Sequence, residues 1–238
     1  MNSFTFDSIS KPYLTALKGS NRQPWAPIEW TYQDVPKRPG ALPVKKNTRV
    51  RPLPLPVFLK ANSIKDLQKV KEDLAEWLIH DEPKPLIFDD EPDRIYYAVV
   101  DGSFDPDEIL KWGQGVIPFI CPDPYKYGDA ESLLLGDYPI RNEGTLKANP
   151  VFSIKFMANS TNYTVSVNEK IVKVIWNLKQ NDLLIIDTSK RKIMINNLVK
   201  MTTLDLSSKW PELIKGQNFI IADKTVANIT VTFRPRWL

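Results

Sequence analysis

The sequence predicts a mainly β protein of two domains with a single α-helix. Three observations lead there. Apolar residues recur at helical spacing in one stretch only, between Ser63 and Leu78, while most other apolar segments are short, alternate with period two and end in turn residues. The composition, 42% hydrophobic and 25% charged over 238 residues, is that of a globular chain long enough for real cores without disulfides or metals.

The first element is the least regular. Residues 23–56, QPWAPIEWTYQDVPKRPGALPVKKNTRVRPLPLP, hold eight of the chain's 20 prolines. Each proline lacks a backbone donor, so the segment suits neither a helix nor a central strand, and an extended conformation is expected. Next come PLPVFLK, then the helix, then PLIFDD and RIYYAVV, each short segment bounded by turn residues. Ser63 is placed to cap the helix, and Ile64, Leu67, Lys71, Leu74, Trp77 and Leu78 form its stripe, with Trp77 expected in the core. Pro83 and Pro85 prevent its continuation.

From Asp123 to Pro150 prolines, glycines and acids cluster, which predicts a domain boundary, placed after residue 135: a first domain over 1–135 and a second over 136–238. The second half alternates throughout. Phe152, Ile154 and Phe156 share one face, as do Tyr163, Val165 and Val167. DLLIIDTSKRKIMIN reads as two strands joined across Thr188 to Arg191, and Ile229, Val231 and Phe233 alternate with Thr230, Thr232 and Arg234. Many short antiparallel strands imply a β-sandwich or jelly roll.

Charge excludes one class of function. The net charge of +4 is the remainder of 32 basic and 28 acidic residues, which argues against a dedicated nucleic-acid binder. Locally, Lys37, Arg38, Lys45, Lys46, Arg49 and Arg51 form a run without an acid, and no aromatic interleaves them to stack on bases; a solvated arm or a surface facing an acidic neighbour fits better. No apolar run approaches the ~20 residues of a membrane helix, and MNSFTFDSIS lacks the pattern of a signal peptide, so synthesis in a cytoplasm is expected.

Catalytic signals are weak. Cys121 in VIPFICPDP reads as a buried small hydrophobe, and His80, the one histidine, reads as an exposed helix end favoured by the dipole. Gly113 and Gly115 lack the rest of a dinucleotide fingerprint. The acid clusters at Asp89 to Asp93 and Asp101 to Glu108 lack calcium-loop spacing and read as solvated turns; a glycosidase pair drawn from Asp101 and Asp105 is the enzymatic rival. No cofactor, metal or catalytic residue is expected.

PWAPIEWTYQDVPKRPGA, the proline-punctuated strand, the helix, YYAVVDGSFD and GQGVIPFICPDPYKYG resemble, in that order, the N-terminal domain of distal tail proteins (Dit) of siphophages infecting Gram-positive bacteria. IRNEGTLKANPVFSIKF, DLLIIDTSKRKIMIN, LDLSSKWPELIKGQNFI and ITVTFRPRWL resemble the family's C-terminal domain. The resemblance implies an N-terminal β-sandwich with one helix and an extended arm, followed by a galectin-like β-sandwich. It also implies a structural baseplate hub of the virion tail tip: a homo-oligomeric ring, taken as a hexamer, between the major tail protein of the tube and a tail-associated lysin or fibre (Tal). Receptor-binding or baseplate proteins would attach at its periphery, and no membrane or specific nucleic acid would be bound.

Within that frame residues 34–57 are expected to be the arm that reaches the next subunit, with Pro36, Lys37, Arg38, Pro39, Gly40, Arg49 and Arg51 at the contact. Some family members carry an inserted carbohydrate-binding module, but residues 136–238 leave room for one sandwich only. The alternative function is a lectin-like adsorption module contacting host cell-wall polysaccharide, for which Trp176 and Trp210 are the candidate platforms, although both are expected in the core.

Overall fold

The computed structural model describes residues 4–17, 22–109, 112–136 and 138–238, without the side chains of residues 108 and 109, so Glu108 of the second acid cluster lies outside the described side chains. Two compact units divide the chain, Met1–Lys126 with Leu238 and Tyr127–Trp237.

The first unit contains β1 (Phe4–Phe6), β2 (Leu14–Ala16), β3 (Ile28–Asp34), β4 (Ala41–Thr48), β5 (Arg51–Lys60), α1 (Ile64–Leu78), β6 (Lys84–Phe88), β7 (Glu91–Val100), β8 (Asp107–Ile109) and β9 (Trp112–Cys121). Its antiparallel sheet runs β1-β6-β7-β9-β5-β2, with β8 also on β9. Glu91 and Tyr96–Ala98 of β7 pair with β6, while Val99 and Val100 pair with β9, so β7 passes from one layer to the other. Phe4 and Phe6 of β1 thereby meet Phe119 of β9 at 6.2 and 5.3 Å between ring centroids.

The helix forms as its pattern demands. Ser63 Oγ accepts from the Asp66 amide at 3.1 Å, and Leu67, Leu74, Trp77 and Leu78 are buried, while Ile64 at the helix start stays exposed. Four such side chains contribute about 1.5–3 kcal/mol each by leaving water. Trp77 stacks on Phe4, meets Phe6 edge-on and donates from Nε1 to the Phe6 carbonyl at 3.1 Å. His80 is not an exposed helix end: its ring lies 5.8 Å from that of Phe6 and its Nε2 is buried, because the chain turns back toward β6.

The proline-punctuated stretch holds a strand inside the sheet, contrary to the sequence expectation. Strand β5 pairs with β9 along its whole length and with β2 at Val57–Leu59. Pro52, Pro54 and Pro56 share one parity, and their backbone polar groups point away from β9. Pro56 O accepts from Leu17 N at 2.8 Å, and opposite Pro54 the carbonyl of Pro118 accepts from Asp101 N at 2.9 Å. Leu53, Leu55 and Val57, at the alternate positions, carry the bonds to β9 and bury their side chains, so no ladder donor is lost.

The two-residue β10 (Lys126–Tyr127) spans the junction. The second unit holds β11 (Glu131–Leu134), β12 (Ile140–Asn142), β13 (Val151–Phe156), β14 (Ser160–Val167), β15 (Lys170–Leu178), β16 (Leu183–Asp187), β17 (Lys192–Ile195), β18 (Leu198–Val199), β19 (Gly216–Asn218), β20 (Ile220–Ala222), β21 (Ala227–Phe233) and β22 (Arg236–Trp237). The sequence division after residue 135 differs from the observed one because β11 pairs with β21 and so belongs to the second unit. Sheets β11-β21-β13-β16-β17-β18 and β15-β14-β20 bury the faces expected of them. Phe152, Ile154, Phe156, Ile229, Val231 and Phe233 share one core with Tyr163, Val165 and Val167, and Phe156 meets Tyr163 edge-on at 5.1 Å.

Two details set the connections. Asn168 and Glu169, both at positive φ, close the β14–β15 hairpin as a two-residue turn. In the turn SKWPELIKGQN the buried Asn218 side chain donates to the Ile214 and Gly216 carbonyls at 2.9 Å and accepts from Ile214 N at 2.8 Å, so one amide replaces the missing ladder.

Candidate assembly surface

IEWTYQD alternates apolar and polar residues, as a strand with one buried face does, but β3 is exposed at every position. Among the described residues it pairs only with β4, from Ile28↔Thr48 to Asp34↔Ala41, with an irregularity after Thr31 that leaves Val44 without an opposite residue. By alternation Ile28, Trp30 and Tyr32 share one face, and Tyr32 and Val44 are each 62% exposed. A lone two-stranded ribbon is marginal in water, and an uncovered aromatic face marks a contact surface.

The tip is built from VPKRPG. Arg38 N donates to Val35 O at 3.1 Å, and Lys37 and Gly40 take positive φ at 64° and 80°. Nothing lies within 4 Å of a Cβ placed on Gly40, so its φ is what glycine serves there. Pro36, Lys37, Arg38, Pro39 and Gly40 are all exposed, as are Lys45 and Lys46 of β4. At the base Arg49 pairs with Glu29 across the ribbon, and its amide donates to Pro27 O at 2.8 Å.

Arg51 departs from the expected contact set. It is wholly buried at the first position of β5, donating from Nε to Pro124 O at 2.8 Å and from Nη1 to Gln23 O at 3.1 Å, with its guanidinium 6.0 Å from the Tyr96 ring. It ties the segment entering the ribbon to the core strand leaving it. The exposed arm is therefore 28–48 rather than 34–57, because β5 is committed to the sheet. Ile28, Trp30 and Tyr32 escaped the sequence reading although their alternation was the available signal.

The other sequence candidates fall into structural roles. Glu91, in the first acid cluster, accepts from Lys126 Nζ at 2.8 Å and Tyr96 Oη at 2.7 Å, while Asp90 pairs with Arg22. Burial, and then Glu91, raise the Tyr96 phenol well above its ordinary value. Asp101 and Asp105 are exposed. Among the described residues no three His, Cys, Asp or Glu side chains are grouped to hold a metal.

Burial pushes the Cys121 thiol up to about 12, against the opposing pull of Arg51. A side chain at Gly115 would meet the Phe104 ring at 2.8 Å and Pro106 Cα at 3.1 Å, so close packing explains this glycine. Trp210 packs partly buried against the second core. Trp176, expected in the core, has the parity of the buried Val172 and Val174 but is exposed, because the register of β15 against β14 shifts between Ile175 and Leu178; Lys200 Nζ stands 5.2 Å from its ring.

Residues 9–121 match the profile of the phage tail protein RIFT-related domain, and residues 143–237 match that of the siphovirus-type tail component, C-terminal domain. The distal tail protein of Bacillus phage SPP1 is 28% identical over 180 residues, which cover 73% of this chain and 70% of that protein. The crystal structure of SPP1 Dit matches over 100% of both chains with a TM-score of 0.87 at 20% identity. A chain of the phage P2 baseplate, in its calcium-activated conformation, matches over 98% of each chain at 0.52 and 9% identity. The order of the two matched domains along one chain, together with the SPP1 relative, makes this protein a member of the siphophage distal tail protein family.

Proposed function

We propose that this chain is a structural hub of a phage tail tip, closing into a homo-oligomeric ring of six copies through the β3–β4 ribbon. Family membership supports the hub, and SPP1 Dit is itself described as a paradigm of the hub adsorption apparatus in phages that infect Gram-positive bacteria. The observation that carries the ring is the ribbon's aromatic face, which its own chain leaves bare. A ribbon meeting a different patch on the next copy is a head-to-tail contact, which closes into a ring when the rotation per subunit divides the circle.

In this reading Pro36, Lys37, Arg38, Pro39, Gly40 and Arg49 act at the inter-subunit contact, and Arg51 holds the ribbon's base. The ring joins the tail tube to the tail-associated protein and carries receptor-binding proteins, and the chain performs no catalysis. It is made in the host cytoplasm and resides in the virion.

Light scattering coupled to size exclusion, with negative-stain imaging, tests this. Wild-type chain, alone or with its tail-associated protein, should form a ring with a central hole. A Trp30→Ser, Tyr32→Ser variant should lose it without a change in melting temperature. Each aromatic anchor is worth about 2 kcal/mol or more at a contact, close to thirtyfold in affinity. Rings that persist undiminished in the variant would refute the role of the ribbon.

A further inference from the structure

The first unit has a second apolar feature that its own chain leaves open. Leu74, Leu78 and Ile79 at the end of α1, Val100 at the end of β7, Phe104 and Ile117 wall a groove of about 290 Å³. Its walls are apolar and its size admits a few large side chains. Ile79, at its rim, is 62% exposed.

The charge around it has one predominant sign. Asp101, Asp105 and Asp107 flank the lining on the loop side and Asp81 and Glu82 follow Ile79, all exposed. Lys71, the cation in the lining, is already engaged within its own chain. The ribbon offers the complement: a face with Trp30 and Tyr32 on which Lys46 stands directly opposite Trp30, the exposed Val44 at the irregularity beside it, and the exposed cations Lys37 and Arg38 at the tip.

We propose that this groove is the seat for the ribbon of a second copy of the chain, the aromatic face entering between α1 and the 100–104 loop while Lys46 beside Trp30, with Lys37 and Arg38 at the tip, meets the acidic rim. The inference rests on the ring reading and adds to it the receiving surface. The two patches differ in shape and in sign of charge, so like patches repel and donor meets acceptor, which gives the contact its direction.

The test uses the full-length chain with Val44→Cys and Ile79→Cys together, since Cys121 is buried and silent. Under mild oxidation the double variant should give a ladder of disulfide-linked oligomers on a non-reducing gel, with each single variant giving no ladder. As a second measurement, Asp101→Lys with Asp105→Lys should weaken self-association at least tenfold. Adding Arg38→Asp with Lys46→Asp to that chain should restore most of the loss.

Assembly that requires Trp30 and Tyr32, but shows neither ladder nor charge rescue, would overturn the groove and leave the ring standing. Assembly indifferent to Trp30 and Tyr32 would overturn both. Occupation of the groove by a small apolar molecule such as a detergent, with assembly unchanged, would also overturn the proposal.

Discussion

Arg51→Ala separates a core role from a contact role at a position where the basic run suggests contact. The wild-type guanidinium is fully buried and donates to two carbonyls, Pro124 O at 2.8 Å and Gln23 O at 3.1 Å. Hydrogen bonds from a charged group contribute about 1.5–3 kcal/mol each, and truncation leaves two carbonyls short of a donor and a void beside Tyr96. Removing the buried charge recovers part of this, since Nη2 has no hydrogen-bond partner among the described residues. The net loss is about 3–5 kcal/mol for the first unit. With a urea slope of about 2 kcal/mol/M the midpoint of its unfolding should fall by about 2 M. Arg51→Lys, which keeps the charge but not the fork, should fall between wild type and alanine. An unmoved midpoint in Arg51→Ala, with self-association lost, would refute the buried clamp and return Arg51 to the contact surface.

Other expectations follow from the same geometry. Cys121, with its thiol raised to about 12 by burial, should resist alkylation at pH 8 in the folded chain and react once urea unfolds it, as mass spectrometry would show. Gly115→Ala should lower stability by about 1–3 kcal/mol, read as a lower melting temperature, because a new methyl meets the Phe104 ring and the Pro106 backbone. The hydrogen bond from Lys11, then that from Tyr13, holds the Asp73 carboxyl below its ordinary value, and Lys170 does most of the same for Glu212. The folded state therefore binds these protons less readily than the unfolded one. The stabilisation is full above the ordinary carboxylate values of about 4 and is lost as pH falls through the lowered ones. Thermal melts between pH 7 and pH 3 should show less acid destabilisation in Lys11→Met and Lys170→Met than in wild type.

What was legible in the sequence was whatever depends on one element and its own period. The Ser63 cap, the burial of Trp77 and the inward faces of β13, β14 and β21 follow from spacing alone, because each element buries one face on a core regardless of which partner supplies it. What escaped depends on partners far along the chain. That Pro52, Pro54 and Pro56 spare the ladder is a matter of parity against β9, and the prolines do not reveal which side their neighbour occupies. Arg51 looked like one more member of a basic run, since nothing local signals that the carbonyls of Gln23 and Pro124 converge on it. His80 was misplaced for a like reason, its cover being Phe6 at the other end of the unit. The ribbon was half legible: its extension followed from the prolines, but its start is placed six residues late, because the Trp30–Tyr32 alternation implies a covered face that one copy does not provide, and its end nine residues late, because the pairing of β5 with β9 is not visible locally.

The parity of the β5 prolines bears on what happens when two copies of this chain meet. Along residues 52–56 one margin of the strand has no amide hydrogens to offer, so a strand from another copy arriving there finds acceptors only. Fusion of sheets between copies, the route by which concentrated β proteins turn into fibrils, is closed along that margin before folding and after it. The chain thus carries its protection in the same residues that make the strand look broken on paper.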